Sequence, residues 1–301
     1  MEVVIAGSHG LIGSALRRHL AEHGHRGRLL VRGAPNGPDE FRWDPRAGTI
    51  DESAVAGADV AVNLAGAGIG DHRWTEQYKR EILESRTGST RTLGHALATV
   101  PGAPLTWVQA SAIGYYGDRG DEVLTEASPR GQGFLAEVVE TWEAETAEAA
   151  SAGVRVAHLR SGLVFSRRGG ALGRLLPILR LGIGGRLGSG EQFWSWISLE
   201  DEVRAITHLM TASIAGPVNA TAPAPTRHRE VVAALAAALH RPAVLPVPAP
   251  ALRLALGQFA SDILGSQRVL PEVLTESGFE FRHGDVTEVA EWVTGVPARP
   301  H

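Results

Sequence analysis

Gly7-Ser8-His9-Gly10-Leu11-Ile12-Gly13 sets three glycines at the spacing Gly-x-x-Gly-x-x-Gly. Glycines so placed permit a tight turn and close backbone approach. They also bring free N–H groups and the positive end of a helix dipole against a pyrophosphate. A glycine triple alone carries little information, but residues 2–6 read as a buried strand and residues 11–23 as an amphipathic helix, so this one lies at a strand-to-helix junction. Dinucleotide binding is the expectation, with a glycine turn needed only for packing as the alternative.

The second strand, residues 28–31, ends in Arg32, where a carboxylate would bind the adenosine ribose hydroxyls of NAD(H). An arginine instead suits the 2′-phosphate, which favours NADP(H) over NAD(H). A solvated surface arginine would look the same in sequence.

Other chemistries are excluded by residue type. There is no cysteine, so thiol nucleophiles, disulfides and iron–sulfur ligation are absent and any redox equivalent must come from a cofactor. The twelve histidines show no metal-ligand spacing, and no metal site is expected. No Gly-x-Ser-x-Gly elbow occurs. The glycine-rich run 182–190 lacks the Gly-Lys pair of a Walker loop. Net charge is -4 with dispersed basic residues, which gives no nucleic-acid footprint. No run approaches the length of a membrane span and no leader segment is recognisable, so a cytoplasmic protein with a small-molecule substrate and no membrane partner is expected, as a monomer or homodimer.

The elements that must position these residues alternate. Strands are predicted over 41–43, 58–64, 105–110 and 154–159, with helices over 75–98 and 133–151. This pattern predicts an α/β fold, a doubly wound parallel sheet of Rossmann type over residues 1–165. Residues 166–301 are expected to form mainly a smaller C-terminal α/β substrate lobe, with about 191–220 returning to the main domain through a strand over 194–197 and a helix over 199–210. Short strands and helices should alternate in the last 80 residues, with a ligand cleft at the strand carboxyl ends.

The chain resembles the extended, epimerase-like branch of the short-chain dehydrogenase/reductases at Asn63-Leu64-Ala65-Gly66, Leu159-Arg160-Ser161-Gly162-Leu163-Val164 and Trp196-Ile197-Ser198-Leu199-Glu200-Asp201. More narrowly it is similar to the atypical subfamily labelled epimerase family protein. The residues that carry this are Arg73-Trp74-Thr75, Glu81, Ser85-Arg86, Ser111 to Gly117, Trp142-Glu143, Gly184 to Gly190, Gln267-Arg268-Val269-Leu270-Pro271 and Gly278-Phe279. The resemblance implies cofactor contacts at the glycine loop, Arg32, Leu64, Ala65, Gly66, Glu81, Arg86 and Val164. Asp44 could accept from the adenine amino group or close a turn before Pro45; both stay open, as do salt-bridge roles for Glu81 and Arg86.

The departure from that superfamily is catalytic. Its members use Tyr-x-x-x-Lys, whose lysine lowers the tyrosine pKa for proton exchange during hydride transfer. The only lysine here is Lys79, with Thr75 four residues before it. Phe134 stands for the tyrosine and Val138 for the lysine. Ala112 falls at the usual serine position, with Ser111 one residue earlier. Catalytic candidates are therefore Ser111, Tyr115 and Tyr116, the tyrosines being a proton donor or a packed aromatic pair. Glu137 and Glu143 read as a solvated helix face, and Arg160, Arg174 and Arg186 as anion contacts or, more simply, ordinary pairing residues. The expected activity is that of an oxidoreductase or epimerase-like enzyme on a small polar or sugar-like carbonyl or alcohol; a non-catalytic NADP(H)-binding protein is the alternative.

Overall fold

The computed structural model describes residues 1–167 and 169–295. β1 (Glu2–Ala6) has Val3, Val4 and Ile5 wholly buried, the continuous apolar run of a strand covered on both faces. α1 (Leu11–Glu22), β2 (Arg26–Val31), β3 (Glu40–Asp44) and a two-residue β4 (Thr49–Ile50) follow. The buried β5 (Val60–Asn63) leads to α2 (Glu76–Thr99), where the Thr75 hydroxyl caps the first turn by accepting from the Tyr78 N–H at 3.1 Å. Next come β6 (Thr106–Ala112), the 3-10 turn Ile113–Tyr116 and β7 (Val123–Leu124).

The stretch expected as one helix over 133–151 forms two, α3 (Phe134–Ala144) and α4 (Ala147–Ser151). At the break the N–H groups of Glu145 and Thr146 bond three residues back, and the Thr146 hydroxyl donates to the Glu143 carbonyl at 2.8 Å. Such local bonding competes with the helical ladder. β8 (Arg155–Ser161), β9 (Leu163–Ser166), β10 (Gly169–Gly170) and α5 (Leu175–Arg180) come next. The strand expected over 194–197 is split into β11 (Phe193–Trp194) and β12 (Trp196–Ser198). At the split, the Ser195 hydroxyl bonds across to residues 267 and 269. α6 (Leu199–Thr211) and β13 (Gly216–Ala220) follow. The remainder, β14 (Thr226–Arg227), α7 (His228–Ala238), α8 (Ala249–Leu256), α9 (Phe259–Leu264), β15 (Arg268–Val269), α10 (Glu272–Glu276) and α11 (Val286–Thr294), is mainly helical rather than alternating.

Among the described residues, eight strands form one sheet in the order β13-β8-β6-β5-β1-β2-β3-β4. β1 pairs in parallel with both β2 and β5, β2 with β3, and β5 with β6; β4 is antiparallel to β3. The fold is α/β with a doubly wound Rossmann sheet. Its strand order reverses at β1, and the carboxyl end of a strand at such a switch point is where these sheets bind ligands.

The chain forms two compact units of interleaved sequence. Met1–Ala112, Glu137–Arg160 and Val203–Val218 make the first; Ile113–Ala136, Ser161–Glu202 and the chain from Asn219 onward make the second. Val4, Leu30, Trp43, Leu93 and Trp107 belong to the first unit's core. In the second, Phe165 stacks on Trp196 with ring centroids 5.6 Å apart, among Leu172, Val231, Leu235 and Val289.

Candidate functional site

Every parallel strand that surrounds β1 delivers a candidate residue at its carboxyl end: the glycine loop after β1, Arg32 after β2, Leu64 to Gly66 after β5 and Ser111 near the end of β6. Gly7 has φ +76, and a Cβ there would lie 2.6 Å from both the carbonyl carbon and oxygen of Leu64. Only glycine lets the β1 turn pass so close to the β5 turn. A Cβ on Gly13 would fall 2.2 Å from the Gly7 oxygen, so the first helical turn also packs directly on the loop. The Gly10 N–H closes the turn on the Gly7 carbonyl at 3.0 Å. Gly10 is the N-cap of α1, no side chain caps it, and no acid occupies the first turn beginning Leu11-Ile12. Orphan amides and an unopposed dipole make this terminus fit an anion. Ser8 is buried, with its hydroxyl 3.2 Å from His9 Nδ1; the exposed His9 ring lies 3.9 Å from a Glu40 carboxylate oxygen.

A buried amide network shapes the β5 turn. Asn63 donates to Gln109 at 3.0 Å and its Oδ1 accepts from the Ala65 N–H at 3.1 Å, while Trp142 Nε1 donates to Thr90 at 2.8 Å. Beyond it, Ser85 accepts from the Ala67 N–H, and the Arg86 guanidinium donates to the carbonyls of Ala67 and Ile82 at 2.9 and 3.1 Å. Arg86 sits over the Trp142 ring, 5.1 Å from its centroid, and against Gly66, where an added Cβ would meet its Cζ at 3.3 Å. Among the described residues it has no carboxylate partner, and burial pushes its pKa down to about 10. A partly buried cation held only by neutral dipoles is a cation in want of an anion.

Arg32 is exposed at the end of β2. Asp44 closes the turn that follows β3, its Oδ1 accepting from the N–H groups of Arg46 at 2.9 Å and Ala47 at 3.3 Å. Glu81 is exposed on α2, where its charge and that of Asp71 add to burial in raising the Tyr78 pKa.

Ser111 belongs to a cluster that residue types alone did not reveal. Its hydroxyl donates to Glu143 Oε1 at 2.6 Å, and the buried Arg160 grips the same carboxylate with Nε on Oε1 and Nη2 on Oε2, both at 2.8 Å. The expected solvated helix face therefore does not hold for Glu143, whose side chain is 12% exposed. An anion contact for Arg160 gives way to a buried ion pair. Burial raises the Glu143 pKa, but the bonds and charge of Arg160 outweigh it and hold the carboxyl below its ordinary value. An ionised carboxylate only accepts, so the single Ser111 proton is committed to Glu143 and the Ser111 oxygen offers lone pairs.

The second unit holds the other candidates. Tyr116 is fully buried, with its hydroxyl donating to Asn219 Oδ1 at 2.7 Å. Tyr115 is partly exposed and packs edge-on against it, centroids 5.4 Å apart. Val164 lies in β9, in register with Ile197 of β12. Sequence reasoning missed Glu202, whose side chain is completely buried at the start of α6. Ser161 donates to its Oε1 at 2.5 Å, Oε2 has no partner, and burial pushes the carboxyl up to about 7. A buried acid four residues after a Trp-Ile-Ser run is indistinguishable in sequence from the half-exposed acid two positions before it, Glu200. No group of three or more acidic or histidine side chains that could hold a metal occurs among the described residues.

Residues 3–221 match the NAD dependent epimerase/dehydratase family, and residues 247–293 match a domain of unknown function, DUF1731. An epimerase family protein of Mycobacterium tuberculosis is 42% identical over 297 residues, which cover 98% of each chain. The crystal structure of human epimerase family protein SDR39U1 with NADPH is similar with a TM-score of 0.90 and 32% identity, covering 99% of this chain and 100% of that one. The structure of a nucleoside-diphosphate sugar epimerase from Corynebacterium glutamicum gives a TM-score of 0.80 at 36% identity, covering 96% of this chain and 57% of that one.

Proposed function

The chain belongs to the NAD dependent epimerase/dehydratase family and, on that premise, we propose that it binds NADP(H) at the β1 loop and acts on a small polar or sugar-like carbonyl or alcohol. The observation that carries the proposal is the uncapped helix terminus behind Gly7 and Gly13, whose missing Cβ atoms leave a backbone cradle, beside a guanidinium with no counter-charge. These features fit a dinucleotide phosphate. The NADPH in the human relative's structure supports the same cofactor.

When bound, the nicotinamide supplies or accepts hydride. The loop amides hold the pyrophosphate, Arg32 neutralises the 2′-phosphate, and Arg86 serves a phosphate or ribose oxygen. Leu64 to Gly66 form backbone wall. Ser111, its proton given to Glu143, accepts from a ligand N–H or O–H instead of donating to a carbonyl. Tyr115, partly exposed where Tyr116 is fully buried, is the phenol assigned to proton exchange. Tyr115 here lacks the lysine that ordinary relatives place four residues after theirs.

A second reading is favoured by the same contacts: with the Ser111 and Tyr116 protons both engaged internally, the chain would bind NADP(H) without catalysis. Fluorescence titration with NADPH, NADP, NADH and NAD, repeated on Arg32→Ala, tests the binding. Selective loss of NADPH affinity by roughly tenfold or more is expected for loss of a phosphate contact; no dinucleotide binding by the wild type would overturn both readings. Carbonyl reduction that Tyr115→Phe abolishes would eliminate the second.

A further inference from the structure

Among the described residues nine large apolar side chains are exposed, and six of them fall in two short stretches of the second unit: Ile178, Leu181 and Ile183, then Val244, Leu245 and Leu254. Leu181, Val244 and Leu254 are 73%, 74% and 79% exposed. Backbone bonds hold the two stretches together. The Leu245 N–H donates to the Gly184 carbonyl at 3.2 Å, Val247 to Arg186 at 2.9 Å, and Gly188 to Val247 at 2.9 Å. Gly185 allows the approach, since a Cβ there would sit 2.2 Å from the Leu245 oxygen. α8, which carries Leu254, begins two residues beyond Val247.

The charge on these stretches has one sign. Residues 171–190 and 231–261 contain no aspartate or glutamate. They carry Arg174, Arg180, Arg186, Arg241 and Arg253, all exposed. Glu191, Glu230 and Asp262 border them, and the first two are drawn to Arg229. Contiguous exposed apolar surface marks an interaction site, and its partner must tolerate several cations.

We propose that this face docks on the surface of an anionic lipid bilayer, with the leucines, isoleucines and valines entering the headgroup boundary and the arginines meeting lipid phosphates. A second copy of the chain is disfavoured because a two-fold contact would set this cationic patch against itself. A bilayer supplies apolar depth and negative charge together, and interfacial binding needs no spanning segment. No helix among the described residues is long and apolar enough to cross a membrane. The inference goes beyond the sequence expectation of no membrane partner, which weighed only spanning runs, and it does not rest on the cofactor assignment.

The test is co-sedimentation of the full chain with phosphatidylcholine vesicles and with vesicles that also contain phosphatidylglycerol, at low and high salt. Sedimentation only with the anionic vesicles, suppressed by salt, is expected. Arg180→Gln/Arg253→Gln should weaken it by roughly fivefold per arginine, and Leu181→Gln/Val244→Gln by about tenfold or more, the loss of two partly inserted aliphatic side chains. All these side chains are exposed, so circular dichroism and NADPH titration of the variants should match the wild type. Absence of binding to anionic vesicles, or binding indifferent to both double variants, overturns the proposal. So does a solution dimer that Leu181→Gln/Val244→Gln dissociates, because the face would then be occupied by another copy.

Discussion

Glu202→Gln is the substitution that probes the buried chemistry of the second unit most directly. The change replaces an oxygen by an amide nitrogen of nearly equal size, keeps Oε1 as acceptor for Ser161, and removes the ability to ionise. In the folded chain the carboxyl titrates at about 7 against an ordinary 4.5. The cause is burial, opposed weakly by the Ser161 hydrogen bond. Below the ordinary value both folded and unfolded states hold the proton and no pH dependence arises. Between about 4.5 and 7 the unfolded chain releases its proton while the folded chain keeps it, so stability falls as pH rises. Two and a half units at about 1.4 kcal/mol each amount to roughly 3–4 kcal/mol, after which the loss levels off. Urea titrations of both proteins at several pH values from 4 to 8.5, read as the difference in unfolding free energy, isolate this one group and cancel every other titration. The variant should gain steadily on the wild type up to about neutral pH and hold its advantage above. A difference that stays flat across the range would refute the reasoning, since it would mean that Glu202 is ionised or solvated in the folded protein.

Two further outcomes follow from the first unit. Glu143→Ala removes the carboxylate that grips the buried Arg160 guanidinium and should cost about 3–5 kcal/mol in urea unfolding, whereas Glu143→Leu/Arg160→Met together should cost less than the sum of the single changes. Gly13→Ala must displace backbone to relieve a 2.2 Å approach and should lower the thermal midpoint and weaken NADPH binding. Gly10→Ala, with 3.3 Å of room, should fold with smaller loss; equal effects from the two would contradict the geometry.

Local pattern made the first strand, turn and helix of the large sheet legible. A strand, a glycine turn and an amphipathic helix are contiguous in sequence, and Arg32 follows simply by being the residue after a strand. Glu143 was not legible, because its neighbours on α3 and α4 are also acidic and only the arrival of Arg160 on β8 distinguishes it. The break after Ala144 was hidden for a similar reason: alanine and glutamate favour helix, and the Thr146 bonding that ends the ladder depends on its surroundings. The mainly helical end of the chain was obscured by its prolines, which sit at helix entries such as Pro248 and Pro271 rather than between strands.

The interleaving of the two units bears on how the molecule can come into being. The polypeptide changes unit five times, and the first unit receives its last contribution only at Val218. A nascent chain would have to present nearly three quarters of its length before the first unit could close, and the second must wait for segments later still, so the two cannot fold segment by segment as a tandem array of domains would. A fragment cut near residue 165 would lack β13 and leave β8 as an unpaired edge of the large sheet. The order of the strands thus ties completion of the large sheet to synthesis of residues far downstream.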